Sequence, residues 1–484
     1  MIKNKPKIIF ESGKHGQKNK TEDVYCYRIP ALLTTMSGTV IAGADQRYDH
    51  HFDWGNIDMV IKRSEDEGET WSEIIKICDL PTNPNSIHPD YGSAFNIDMC
   101  LVQDPKTQRI FSIFDMFTEQ RGCFGIFEDN FEKAYQEING KDYLIVYENN
   151  EESKVFGTIR ENGIIYDNEG NLTTYRVLTE SKQPPYNNLG SLYNSEDLIG
   201  NVYFRDPMNP LRIAKNMYVW LSYSDDDGKT WSCPEDITPQ IKLPWMVFYG
   251  VGPGNGIALH TGEKKGRLII PMYSTNSLTT LDGSQTSRVI YSDDHGKTWN
   301  SGLSVNDNRY VSELSTTIDS KTFDNRLLQN TEAVAVQLNN GHVKLFMRNL
   351  TGNVQVATSF DGGETWHEEI SSIKEIVDVY VQLSAIHTIQ DGKEYVLLTN
   401  ATGPERNNGH VHILEVTEEG NLKWLNKILI QEGKFAYNSI QMLNDKTFGV
   451  LYEHSSQEYN EYCLLFNKFN WSELEILLDE QTKN

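Results

Sequence analysis

The chain has 484 residues, 38% of them apolar and 23% charged, and no apolar run approaches the ~20 residues of a membrane span, which excludes a disordered or membrane-embedded protein. Its net charge of −24 at pH 7 speaks against nucleic-acid and anionic-membrane partners, because both reward a basic face. Aromatics at 11% and 35 Gly point to an all-β chain with many turns.

The first residues, MIKNKPKIIFESG, carry Lys but no apolar core of a signal sequence. A cytoplasmic location is therefore expected if the chain is complete, and a secreted or surface one if a leader was trimmed. Next come Tyr27-Arg28-Ile29-Pro30, the strand TVIAGADQR, and the alternating strand IDMVIKR. The last runs into Ser64-x-Asp66-x-Gly68-x-Thr70-Trp71. The same S-x-D-x-G-x-T-W pattern recurs at 224–231, 292–299 and 359–366, after MYVWLSY, SRVIY and VQVAT. Five fixed residues match by chance about once in three million positions, so four copies are a true repeat. Ser and Asp accept backbone N–H bonds in a tight turn, Gly takes the positive φ, and Trp plugs the returning hairpin. SDDDG superficially resembles a calcium loop, but the spacing of such a loop is absent and the boxes are expected to be structural.

The last three copies are 68 and 67 residues apart, whereas the first gap is 160. One repeat of about 67 residues is read as having lost its signature and gained roughly 90. A strand-rich unit at this period predicts a β-propeller of five to six blades. The extra residues form a small inserted β-rich module at 119–213, with hairpin signals at Glu161-Asn162-Gly163 and Asn168-Glu169-Gly170. It divides the propeller into 1–118 and 214–484. The six Cys, at 26, 78, 100, 123, 233 and 463, show no C-x-x-C spacing and read as isolated buried thiols.

YRIP followed by four such boxes resembles the bacterial sialidases, exo-acting glycoside hydrolases on a six-bladed propeller. The likeness runs from IFESG at 9–13 to FNWSELE at 469–475 and is greatest for the large secreted Gram-positive enzymes, which also carry an inserted domain. It implies sialylated glycans as substrates, no cofactor or metal, a monomer, and an extracellular setting. Sialic acid carries a carboxylate on its anomeric carbon, and Arg pairs with carboxylate through two parallel bonds. Arg28 of YRIP, Arg348 of VKLFMRNL and Arg406 of NATGPERNNG match the family's Arg trio. A carboxylate nucleophile would be repelled by the substrate, and the family uses Tyr instead. Tyr437 of KFAYNSI matches it, with Glu332 of QNTEAVAVQL as the base that takes the phenolic proton. Asp53 of YDHHFDWGNID matches the acid/base. Arg47 resembles the Arg on the sugar's 4-hydroxyl and Asp98 the Asp facing the N-acetyl amide, with Phe95, Ile97 and Met99 as an apolar pocket. Tyr380 is a further wall residue and Gln285 a candidate for the glycerol tail.

His50-His51 and His410/His412 lack a third ligand in view and read as ordinary side chains. A non-catalytic glycan-binding propeller would not need Tyr437, Glu332 and Asp53 together. Intramolecular trans-sialidases of the family, which release an anhydro-sugar, place a Trp over the leaving-group site after the nucleophile. No Trp occurs between Trp424 and Trp471, which favours hydrolysis.

Overall fold

The computed structural model describes residues 2, 4–88, 90, 92–120, 132–150, 154–205, 208–276 and 281–481. These form six antiparallel blades. Blade 1 is Cys26–Thr34, Val40–Arg47, Ile57–Ser64 and Ile75–Cys78. Blade 2 is Phe95–Gln103, Ile110–Phe117, Met217–Ser224 and Glu235–Asp236, and blade 3 centres on Leu268–Thr275 and Thr286–Ser292. Blade 4 is Asn330–Gln337, Val343–Asn349, Asn353–Ser359 and Ser371–Val377. Blade 5 is Ser384–Gln390, Lys393–Ala401, Asn407–Val416 and Leu422–Lys434. Blade 6 joins Asn438–Asn444, Thr447–His454 and Cys463–Asn470 to the N-terminal strand Lys7–Phe10. The inner strand Cys26–Thr34 touches those of both blade 2 and blade 6, which closes the ring. Closure leaves each inner strand covered, and Cys26–Thr34 and Asn330–Gln337 are buried almost throughout.

The four boxes occupy the turn between third and fourth strands of blades 1 to 4. In the first, Asp66 accepts from Thr70 N at 2.8 Å and Thr70 Oγ1 at 2.6 Å, Gly68 N donates to Ser64 Oγ at 2.8 Å, and Trp71 Nε1 donates to the Gly68 carbonyl. Each box grips the preceding blade: Trp71 meets Phe466 of blade 6 edge-on, and Trp299 meets Phe111 of blade 2. A Cβ on Gly68 would strike Phe466 and one on Gly296 would strike Phe111, so Gly serves close approach as well as positive φ. Asp294→Ala removes the acceptor of Thr298 N, Thr298 Oγ1 and Lys297 N. The expected cost is about 1–2 kcal/mol in denaturant titration. Turnover per folded molecule should hold, and a folded but inactive variant would contradict a purely structural box.

The long first gap has a different origin from the one the spacing implied. Boxes one and two lie in adjacent blades, so no repeat between them lost its signature; the blades without a box are 5 and 6. Blade 6 takes its outer strand from the N-terminus and has no hairpin there to carry one. The gap is one blade period plus an excursion between the second and third strands of blade 2. The described strands of that excursion, from Tyr135–Ile138 to Leu211–Ile213, form a separate antiparallel sheet whose buried side joins the core under blade 2. Both hairpin signals fall at turns of this sheet. Among the described residues no cysteine is paired; Cys26, Cys78, Cys100 and Cys463 are buried and Cys233 half-buried, while Cys123 lies outside the described residues.

Candidate active site

In every blade the first strand begins, and the second ends, at the face opposite the boxes. That end opens into a cleft of about 260 Å³. Ten residues singled out above line it: Arg28, Asp53, Ile97, Asp98, Gln285, Glu332, Arg348, Tyr380, Arg406 and Tyr437. Arg28, Asp98, Glu332 and Tyr437 come from the starts of inner strands or just before them. Asp53, Arg348 and Arg406 come from the ends of second strands or the loops beyond. Residues hundreds of positions apart meet because each blade contributes the same rim.

The backbone bends to aim these groups. Ile29, Asp98 and Tyr380 have φ of 56°, 64° and 59°, a conformation costly for side chains with a Cβ and typical of functional sites. Bulges fall between Arg28 and Ala31 and between Ile97 and Cys100. Each turns two consecutive residues, Arg28-Ile29 and Ile97-Asp98, towards the cleft. The bulge also corrects the expected apolar pocket. Ile97 reaches the cleft, but Phe95 stacks on Phe117 at 5.1 Å and Met99 is fully buried, both inside the core.

Tyr437 donates its hydroxyl hydrogen to Glu332 Oε1 at 2.6 Å, and Arg348 Nη1 donates to Tyr437 Oη at 3.0 Å and to Glu332 Oε2 at 2.5 Å. Arg28 and Arg406 stand 5.5 and 5.6 Å from the Tyr437 ring centre. Burial and Glu332 push the phenol well above its usual pKa, against the pull of Arg348 and Arg406. Tyr380 packs on the Arg348 guanidinium at 4.1 Å. Arg406 forms no ion pair among the described residues, so its charge is open to the cleft. Asp53 accepts from Arg47 Nη1 at 2.8 Å and lies 3.8 Å from Arg28. Burial opposes its charge, but Arg47 and Arg28 outweigh that and hold its pKa below the ordinary carboxylate value. Asp98 shows the reverse: burial, then Asp45 and Asp115, push it well above that value and favour its neutral form.

Arg47 does not line the cleft. It is fully buried behind Asp53, bonded to Asp45 Oδ2 at 2.8 Å and to the carbonyls of His51 and Phe52. Its guanidinium therefore folds the loop that carries Asp53. Glu453 has no signal in the sequence, yet it organises one side of the site. Its fully buried carboxylate takes Arg28 Nε at 2.9 Å and Nη2 at 3.2 Å, and also the backbone N–H groups of Ile29 and Tyr437. Tyr273 and Thr331 complete the walls. Of the paired histidines, His412 is buried with Asn400 and Trp424, and His50 bonds the Asp90 carbonyl.

A family model described as a BNR repeat-like domain matches residues 208–451, half of the chain. The chain is 31% identical to the anhydrosialidase of Macrobdella decora over 94% of its own length, and 28% identical to sialidase B of Streptococcus pneumoniae over 98%. It spans 62% of the first protein and 67% of the second. Among solved structures, the intramolecular trans-sialidase of Ruminococcus gnavus, in complex with oseltamivir carboxylate, superposes with a TM-score of 0.77 at 27% identity. That match covers 97% of this chain and 98% of the other. With half of its length under the repeat model and nearly all of it aligned to sialidases, the chain belongs to the BNR-repeat sialidase family.

Proposed function

We propose that the chain is a retaining exo-α-sialidase that releases terminal sialic acid from sialylated glycans through a covalent sialyl-tyrosine. The observation that supports this most directly is the hydrogen bond from Tyr437 to Glu332 between three guanidinium groups. Arg28, Arg348 and Arg406 hold the substrate carboxylate and fix the anomeric carbon over Tyr437. Tyr437 Oη attacks that carbon, its proton passes to Glu332, and the glycosidic C–O bond breaks as Asp53 protonates the leaving oxygen. Asp53 then takes a proton from the water that displaces the tyrosine. Arg47 and Arg28 lower the pKa of Asp53; a bound carboxylate offsets Arg28 and Arg406 and raises it towards the acid form the first step needs. Arg47 acts as a positioning residue through Asp53, and Asp98, Tyr380 and Gln285 shape the walls.

Hydrolysis is the reading of the second step, resting on the absence of Trp between Trp424 and Trp471. A second reading, transfer to the sugar's own hydroxyl, is favoured by the relatives named anhydrosialidase and intramolecular trans-sialidase. Proton NMR of reactions on 3′- and 6′-sialyllactose separates them. Free sialic acid appearing first as the α-anomer is expected. An anhydro-sugar would overturn hydrolysis but leave the covalent step in place, and no turnover of either substrate would leave only a glycan-binding propeller.

A further inference from the structure

The excursion at 135–213 carries a row of side chains that the cleft chemistry does not use. Four contacts in register define it across five neighbouring strands. Arg160 lies over the Tyr143 ring at 5.8 Å, its N–H pairs with the Ile164 carbonyl, Ile164 is opposite Arg176, and Arg176 is opposite Tyr193 and over its ring at 5.2 Å. The order across the sheet is thus Tyr143, Arg160, Ile164, Arg176, Tyr193. Strand spacing puts the two Arg roughly 10 Å apart and the outer Tyr roughly 20 Å apart. Arg176 is exposed and the others are half-buried, while the opposite side of the sheet, with Ile159, Ile165, Val177 and Leu192, is core.

A chain with 68 acidic and 44 basic residues usually matches each surface cation to a carboxylate. Among the described residues, Arg160 and Arg176 form no ion pair. Glu161, next to Arg160 in the chain, is taken by Lys141 at 2.9 Å and by the Tyr143 hydroxyl at 2.5 Å. Each guanidinium stands over a Tyr ring instead, Tyr166 adds a second ring 4.4 Å from Arg160, and Arg160 Nε donates to Thr158 Oγ1 at 3.1 Å. Guanidinium forks recognise carboxylates, and the Tyr193 hydroxyl can bond a sugar, while the Tyr143 hydroxyl is held by Glu161. The excursion also leaves the ring between a second and a third strand, the connection that carries Asp53 in blade 1 and Arg406 in blade 5. Its two ends therefore lie at the cleft end of the ring, while its sheet lies along the outer edge of blade 2, where Tyr135 bonds Asp236 and Tyr186 bonds the carbonyl of Trp231 in the second box.

We infer that this Tyr–Arg–Ile–Arg–Tyr row is a second binding site for carboxylate-bearing glycans, which holds a sialylated surface against the flank of blade 2. The inference rests on the reading of the cleft as a sialoside site. Arg160→Ala/Arg176→Ala should leave kcat/KM on 3′-sialyllactose unchanged and raise KM on sialylated mucin about tenfold, the scale of a modest loss of avidity. Unchanged kinetics on both substrates, or equal losses on both, would overturn it. Binding separates the two readings. A Tyr437→Phe chain should bind sialylated mucin more weakly once both Arg are replaced, and the single exposed change Arg176→Glu should do the same with an unaltered melting temperature. Equal weakening on sialylated and desialylated mucin would assign the row to a protein partner and sink the glycan site. A wild-type chain inactive on sialyllactose would overturn the cleft reading alone, and the mucin comparison would still decide the row.

Discussion

Tyr437→Phe is expected to lower sialyllactose turnover by about 10³-fold or more, the scale on which removing a covalent nucleophile acts. The substitution deletes the oxygen that attacks and its hydrogen bonds to Glu332 and from Arg348. It leaves Arg28, Arg348 and Arg406 to bind the substrate carboxylate, so KM should change far less than kcat. The wild-type chain should be labelled by a 3-fluoro-sialosyl fluoride, with the added mass on the peptide containing residue 437, and the Phe variant should not. Glu332→Gln should slow labelling strongly, because the phenol, already pushed up by burial, then loses the carboxylate that takes its proton. An adduct on a carboxylate, or near-normal turnover by the Phe variant, would remove the tyrosine mechanism.

The second large effect belongs to Asp53. A natural glycan leaves as an alkoxide unless protonated, whereas an aryl sialoside leaves as a stabilised phenolate. Asp53→Asn should therefore cut kcat/KM for sialyllactose by about 10²–10⁴-fold and that for the aryl substrate much less. Direction with pH follows from the local charges. Arg47 and Arg28 hold Asp53 ionised in the free enzyme, so the acid form is depleted as pH rises. For sialyllactose kcat/KM should fall with rising pH, and the fall in kcat should lie at higher pH, where the bound carboxylate has offset the cations. Asp49, four residues before Asp53 in the same loop, is the competing carboxylate for this role; it is tied to Lys18 at 2.8 Å and does not line the cleft. Asp49→Asn is the control. A selective loss there, or equal losses for Asp53→Asn on both substrates, would move the assignment.

What was legible in the sequence was local. A box is a turn whose hydrogen bonds close within eight residues, so its chemistry reads directly from Ser64 to Trp71. The cleft residues were legible only through their motifs, because no local pattern marks Arg348 or Tyr437 among other Arg and Tyr. Glu453 shows the limit. It sits in a strand, TFGVLYEH, where nothing nearby distinguishes a buried Glu from an exposed one; its partners Arg28 and Ile29 are more than 420 positions away. Arg47 shows a different limit. A strand alternates its side chains, but which face meets the cleft is decided by the loop that Arg47 itself folds, through the carbonyls of His51 and Phe52. The misplaced repeat arose because spacing alone does not distinguish a blade without a box from an insertion within one.

The excursion in blade 2 begins and ends on paired residues: Met217 lies directly opposite Phe117, and the two strands stay in register to Ser224 and Ile110. The chain thus leaves the ring and returns to the same hydrogen-bonded ladder. Closing a loop of roughly a hundred residues instead of four costs only about 3 kcal/mol of chain entropy, since the penalty grows with the logarithm of length. A module that folds on its own sheet offsets much of that by bringing its ends together. The apolar side of the module is continuous with the core under blade 2, so a short turn in its place would bare that face, and ring and module can be exchanged only together with the residues that join them.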